Sequence, residues 1–399
     1  VPAAPPDFEA DFSALLRERH VALAVSGGSD STALMVLARD WAATHHPDLR
    51  LSVLTVDHGL RPESAEEAMR VGNWALALGL PHHVLLWEGP KPETGLQAKA
   101  RNARYGLLAG WCRDNDAGLL LTGHTLDDQA ETVLMRLDRS LSPGSLAGIA
   151  AQGGWDGFPL LRPLLAVGRE ALRDYLAALG QDWIEDPSND DRRFERVRTR
   201  QTLSGLRRHG ITPERLAALA QSSARTNLLL ENLTGQWLSR WITEEEAGIC
   251  HVPKDPFIAL PAPLQQQILA RIIRHYGGGQ FRPEAEELQR LSRWVEGGSV
   301  RCTLGGALLG RRKQGFWVTR EAARIAAEPL IIPAEGTAIW DGRFHVTAAP
   351  GTAVRAAGDE AVAISEDIPA FVRRTYPLVQ QPEGSLEAPR IAFLRLAPV

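Results

Sequence analysis

The sequence predicts an α/β protein: a doubly wound parallel sheet, followed by a helical segment and a small β-rich C-terminal part. Three observations carry that expectation. The first half alternates short apolar runs with longer amphipathic segments, the pattern of strands joined by crossover helices. From Thr212 helical periodicity takes over, with no strand-length alternation interrupting it. After Ser299 short apolar runs separated by glycines read as hairpins.

In order, residues 20–25, 51–56, 83–87 and 118–121 are apolar runs of strand length, and they predict four strands. Between them, residues 31–44, 64–78, 96–115 and 127–138 predict helices. Such sheets place ligands beyond the carboxyl ends of their strands, so the residues after Val25, Val56 and Leu121 are where chemistry is expected. Helical stretches follow at 213–242, 264–276 and 283–295. Runs at 300–304, 307–309 and 316–319 predict hairpin strands, and beyond Glu328 short apolar runs mix with glycine and proline. The expected division is 1–215, 216–325 and 326–399.

At 399 residues the chain is long enough for two or three domains, and its 23% charged and 44% hydrophobic residues are ordinary globular composition. A net charge of −4 shows no global basicity. Cys112, Cys250 and Cys302 are far apart and form no C-x-x-C pair, which fits a reducing cytoplasmic setting and offers no thiolate metal cage. No apolar run approaches the length of a membrane span. The first residues lack the basic and apolar regions of a secretory signal. The adjacent pairs His45-His46 and His82-His83 read as loop residues rather than metal ligands, and Trp41, Trp74, Trp111 and Trp294 as core.

The strongest motif is S-G-G-x-D-S, formed by Ser26, Gly27, Gly28, Ser29, Asp30 and Ser31 directly after the first strand. A strand, a glycine-rich turn and a helix N-terminus aim backbone N–H groups at one point, and serine hydroxyls add donors, so the turn suits phosphate. It carries neither G-x-x-x-x-G-K-[ST] nor G-x-G-x-x-G, which disfavours a kinase-type loop and a dinucleotide. The second strand ends in Asp57 and His58, which could meet a base or ribose or simply close the loop. The fourth runs into G-H-x-x-D-D-Q-A-E-T, where Asp128 and Glu131 are three apart and share a helix face beside His124. Like charges so close call for a divalent ion or an amine between them, although N-capping by Thr125 or Asp127 accounts for one acid.

Between residues 192 and 215 eight arginines face two glutamates, a local excess of six positive charges. Arg192, Arg196 and Arg200 recur every four residues, and with Arg198 they form a candidate stripe for backbone phosphates. A solvated basic helix is the plainer reading. Arg311 and Arg312, on a hairpin turn, are a second candidate contact for RNA.

Taken in order, S-G-G-x-D-S, V-D-H-G-L-R, A-R-x-x-R-Y at 100–105, G-H-x-x-D-D-Q-A-E-T, R-P-L-L at 162–165 and W-I-E-D-P-S-N at 183–189 resemble the tRNA(Ile)-lysidine synthetases, a family of N-type PP-loop ATP pyrophosphatases. The resemblance is strong over about residues 18–215 and weaker over 264–320. It implies a Rossmann-like PP-loop ATPase domain in the cytoplasm. It also implies ligation of free L-lysine to C2 of the wobble cytidine in a CAU-anticodon isoleucine tRNA, through an adenylated cytidine, with release of AMP and pyrophosphate. ATP would lie against Ser26 to Ser31, Asp57, His58 and Arg101, with Asp30 holding Mg²⁺. Asp30, His124, Asp128 and Glu131 would be catalytic, and Arg104, Arg192, Arg196, Arg198, Arg200, Arg311 and Arg312 would meet tRNA. The reading involves no membrane and leaves room for a homodimer.

Three departures stand out: Thr125 replaces a second histidine, residues 139–145 replace an R-G-S-G stretch, and Val197 stands where the family commonly has Asn. Two alternatives stay open. A tRNA thiolase of the same ATPase type is opposed by the missing C-x-x-C. A non-catalytic ATP- or RNA-binding module is opposed by the intact S-G-G-x-D-S and D-D-x-x-E.

Overall fold

The computed structural model describes residues 10–59, 63–89, 91, 95–185, 192–193, 195–279, 283–363, 369–380 and 390–396. The chain divides into two compact units, Val1–Arg225 and Thr226–Val399.

In the first unit β1 (His20–Ala24), α1 (Ser29–His45), β2 (Arg50–Asp57), α2 (Ser64–Ala77), β3 (His82–Leu86), α3 (Leu96–Asp114), β4 (Leu119–Thr122) and α4 (Leu126–Leu137) alternate as expected. The sheet has the order β3-β2-β1-β4 and continues through β6 (Phe158–Leu161) to β5 (Gln152–Trp155). Its pairs are parallel except for the β5–β6 hairpin at the edge, which the sequence reading did not anticipate. Gly153 and Gly154 interrupt the apolar pattern of β5.

Strand β1 shows why the sheet is buried on both sides. Val21, Leu23 and Val25 join one core cluster with Leu34 of α1 and Val71 of α2. Ala22 and Ala24 face the other, with Tyr105, Leu108 and Cys112 of α3. The period of two along a strand feeds both layers. Cys112 lies in that second core, and burial pushes its thiol up to about 12.

After β4 come α5 (Pro143–Leu146), α6 (Arg169–Ala178), α7 (Glu195–Leu206) and the long α8 (Pro213–Trp241), within which the two units divide. The start of α8 belongs to the first unit: Leu216 and Ala220 pack on Ala130 and Val133 of α4 and Leu203 of α7.

The second unit corrects the expectation of uninterrupted helices after residue 212. Between α8 and α10 (Ala262–Tyr276) lie β7 (Thr243–Glu245), β8 (Ile249–Pro253) and the short α9 (Lys254–Ile258). These two strands are short, and they complete a five-stranded antiparallel sheet, β7-β8-β11-β10-β9, with β9 (Arg301–Leu304), β10 (Ala307–Arg312) and β11 (Gly315–Arg320). Tertiary pairing makes them strands where local periodicity is too brief to show it. α10 and α11 (Ala285–Glu296) cover this sheet through Ile268, Ile272, Leu291 and Trp294. Two three-stranded sheets follow, as the β-rich expectation had it. Asp341 accepts from Arg320 at the end of β11 and from Arg343, whose side chain is fully buried.

Candidate active site

The sheet order reverses at β1, whose neighbours β2 and β4 lead to opposite sides, and an open α/β sheet binds ligands at such a point. The turn after β1 and the helix after β4 meet there. Gly123 makes the approach feasible: a Cβ on it would stand 2.9 Å from the Asp30 carbonyl oxygen and 3.0 Å from the Ser31 Cα.

The cradle is built from its own side chains. Gly27 adopts φ +89, a conformation that favours glycine, and its carbonyl accepts from Ile184 N–H at 2.9 Å and from the Thr32 hydroxyl at 3.1 Å. The W-I-E segment thus clamps the loop, and residues 186–189 of that motif, like residues 60–61 of V-D-H-G-L-R, lie outside the described residues. Ser31 Oγ donates to the Gly28 carbonyl and accepts from Ser26 N–H, so this hydroxyl shapes the turn. Gly28 caps α1 without a side chain, leaving the first-turn N–H groups of Ser29, Asp30 and Ser31 directed out of the helix end. Ser29 Oγ donates to Asp30 Oδ1 at 3.0 Å.

The three acids of α4 do three different things. Asp127 Oδ2 accepts the Arg169 backbone N–H at 2.7 Å, capping α6, whose own N-cap is Gly168. Asp128 forms a capping box with Thr125: its Oδ2 accepts the Thr125 N–H at 2.9 Å and hydroxyl at 3.0 Å. Glu131, 1% exposed, accepts from Arg200 Nε at 2.8 Å through Oε1, while its buried Oε2 has no hydrogen-bond partner among the described residues. Thr125, standing where a histidine was expected, therefore fixes one oxygen of Asp128.

One residue that the sequence reading missed joins these parts. Arg169 donates from Nε to Asp30 Oδ2 at 2.9 Å, and it lies 3.5 Å from Asp128 Oδ1 and 3.7 Å from Glu131 Oε1. A signal for it existed. Arg169 is the first residue of α6, where the helix dipole disfavours a cation unless acids face it. Beside it, Arg173 reaches Ser29 Oγ at 3.4 Å and Glu185 at 3.0 Å.

Burial raises the Asp30 carboxyl, and Arg169 opposes the rise. For Asp128 burial also acts upward, but Arg169, the Thr125 N–H, His124 and Arg196 outweigh it and hold the carboxyl below its ordinary value. His124 is pushed down to about 4 by burial, with the charges of Arg162, Arg101 and Arg196 adding to the effect against Asp128. Its ring is neutral at pH 7, with Nδ1 2.9 Å from the Thr122 hydroxyl.

Asp57 Oδ1 accepts from Gly59 N–H and the Ser64 hydroxyl, an Asx-turn closure of this loop. His58 lies edge-on to Trp87, and burial and the Arg104 charge lower its pKa. Arg101 sits over Tyr105, 5.0 Å from its ring centre. Of the basic stripe, Arg196 and Arg192 are exposed, Arg198 turns back onto the carbonyls of Arg192 and Arg193 at 2.9 Å, and Arg200 points inward to Glu131. Arg311 donates to the carbonyls of Ser299 and Gly298, and Arg312 is exposed at the hairpin turn. The replaced stretch at 139–145 leads into α5, tied down by Arg136 to the carbonyls of Ser145 and Gly148 and by the Arg139–Glu195 pair.

Asp30 is the carboxylate in the first turn of α1, its Oδ1 accepting from the Ser29 hydroxyl and its Oδ2 from Arg169 Nε. Among the described residues no group of three His, Cys, Asp or Glu side chains could hold a metal ion. Mg²⁺ draws most of its ligands from phosphate oxygens and water and needs only one or two carboxylates, so Asp30 fits such an ion. No helix among the described residues is long and apolar enough to cross a membrane.

The chain resembles known proteins over most of its length. A family described as the PP-loop domain matches residues 6–206. The tRNA(Ile)-lysidine synthase of Ruegeria pomeroyi is 43% identical over 331 residues, 82% of this chain and 76% of that protein. That of Methylobacterium nodulans is 43% identical over 297 residues, 72% of this chain and 86% of that protein. Among solved structures, the U34-tRNA thiolase NcsA from Methanococcus maripaludis aligns at 16% identity and a TM-score of 0.47, over 55% of this chain and 75% of that one. With its phosphate-type cradle, its acid-bearing helix and close relatives along most of its length, the chain belongs to the tRNA(Ile)-lysidine synthase family.

Proposed function

We propose that the protein uses ATP to adenylate C2 of the wobble cytidine in a CAU-anticodon isoleucine tRNA and then joins lysine to that carbon, with release of pyrophosphate and AMP. The observation that carries the reading is the meeting of the cradle at Ser26–Ser31 with Asp128 and Glu131 across the approach at Gly123.

In the first step the N–H groups at the start of α1 bind the phosphates and orient the α-phosphorus toward the cytidine oxygen, so catalysis is positioning and charge stabilisation. Asp30 would hold Mg²⁺, which when bound offsets the negative charge of the departing pyrophosphate. In the second step the lysine ammonium binds between Asp128 Oδ1 and Glu131, and it must lose a proton before it attacks. A carboxylate of this pair, or a water, is proposed to take that proton. The exposed Arg192 and Arg196 and the Arg312 turn are proposed contacts for the tRNA backbone. The division is proposed as a catalytic domain at 1–215, a helical linker with a small α/β tRNA-contacting domain at 216–325, and a β-rich C-terminal domain at 326–399. A homodimer remains part of this proposal.

The test mixes the full chain with Mg-ATP, labelled lysine and the CAU-anticodon isoleucine tRNA. Lysine-labelled RNA with AMP is the expected result, abolished in Asp128→Ala. ADP as the product, or normal labelling by that variant, would overturn the reading.

A further inference from the structure

We infer that Arg169 is a positioning residue that couples the two substrate sites, so that nucleotide in the cradle tightens the binding of lysine. This rests on the reading that lysine binds at Asp128 and Glu131.

The geometry points to one guanidinium shared by two sites. Its Nε holds Asp30, in the first turn of the phosphate cradle, at 2.9 Å. The same group lies against Asp128 Oδ1 at 3.5 Å and Glu131 Oε1 at 3.7 Å, which are the acids an ammonium would need. The other acceptors are committed: Asp128 Oδ2 to Thr125, and Glu131 Oε1 to Arg200. What remains for an ammonium is Asp128 Oδ1, which Arg169 faces, and the buried Glu131 Oε2. Without nucleotide, Arg169 therefore competes with lysine for the same carboxylates.

Phosphates in the cradle change that balance. A guanidinium takes phosphate oxygens in a fork as readily as carboxylates, and phosphates held by the first-turn N–H groups of α1 would lie on the Asp30 side of Arg169. Drawn toward them, the guanidinium relinquishes Asp128 Oδ1 to the incoming amine. Coupling of this kind is reciprocal, so lysine tightens nucleotide by the same factor.

The experiment measures lysine affinity by calorimetry, with and without Mg²⁺ and saturating α,β-methylene-ATP, whose α–β bridge cannot be cleaved. Four forms of the full chain are compared: wild type, Arg169→Met, Arg169→Lys and Asp128→Asn. In wild type the analogue is expected to tighten lysine binding by about fivefold or more, the lower end of common couplings. In Arg169→Met the affinity should be the same with and without the analogue. Arg169→Lys keeps the charge but has no fork to span three carboxylates, so it should lose most of the coupling, and it carries the test if the Met variant does not fold. Equal lysine affinities in wild type, no measurable lysine binding in either state, or wild-type coupling in the variants that fold would overturn the inference. Asp128→Asn separates the two claims. If it loses lysine binding while Arg169 variants stay coupled, the inference alone fails; if it binds lysine as wild type does, the lysine site itself is misplaced.

Discussion

Arg200 Nε donates to Glu131 Oε1 at 2.8 Å, so an arginine of the basic helix neutralises a carboxylate that is 1% exposed. The sequence pattern sets Arg200 in a stripe with Arg192 and Arg196, a surface for RNA phosphates. The fold turns it into the acid site, leaving Arg196 and Arg198 as the exposed arginines of that stripe on α7.

Replacing Arg200 with Met leaves a buried carboxylate short of a charged partner, at a cost of about 1–3 kcal/mol in stability. Urea unfolding should show a lower midpoint with an unchanged slope. The KM for lysine should rise, because Glu131 loses the group that orients it.

Thr125→Ala removes the hydroxyl of the capping box, and such losses typically cost about 1 kcal/mol. Thr125→Ser should retain both stability and lysine KM, since it keeps the oxygen bonded to Asp128. A serine variant as impaired as the alanine one would count against the capping role.

Gly123→Ala should abolish ATP–pyrophosphate exchange by the tRNA-bound protein, by roughly a hundredfold or more, because its Cβ meets the backbone of Asp30 and Ser31 rather than a movable side-chain tip. A thermal melting point close to that of wild type would show that the loss is local to the cradle.

Acid should destabilise the fold through its buried histidines. Burial lowers His124 from 6.5 to about 4, and it also lowers His20, His58, His82 and His275. Between about pH 6.5 and 4 the unfolded chain therefore binds protons that the folded chain does not, so stability is greatest above this window and falls as pH drops through it. Melting temperatures measured from pH 7.5 to 5 should decline, and His124→Gln should flatten part of the slope.

Binding of tRNA should weaken with salt, and Arg196→Ala should reduce the slope of log affinity against log salt by about one phosphate contact. Arg198→Ala should change that slope less, because its guanidinium is already engaged with the carbonyls of Arg192 and Arg193.

The sequence by itself determined the alternation of β1 to α4, the glycine-rich turn at Ser26–Ser31 and the acids Asp128 and Glu131. All three are written locally, in a period of two or 3.6, in a glycine-bearing turn, or in acids three residues apart. What only the tertiary structure decided was how those pieces are completed. Arg169 lies 139 residues from Asp30 and about 40 from Asp128 and Glu131, and Arg200 lies 69 from Glu131, so no local pattern ties either to its partner. The antiparallel β5 at the sheet edge, and β7 and β8 in the second unit, are likewise strands because a neighbour supplies their hydrogen bonds. Charges and short strands take their roles from whatever the fold sets opposite them, and that is a property of the folded chain rather than of any window along it.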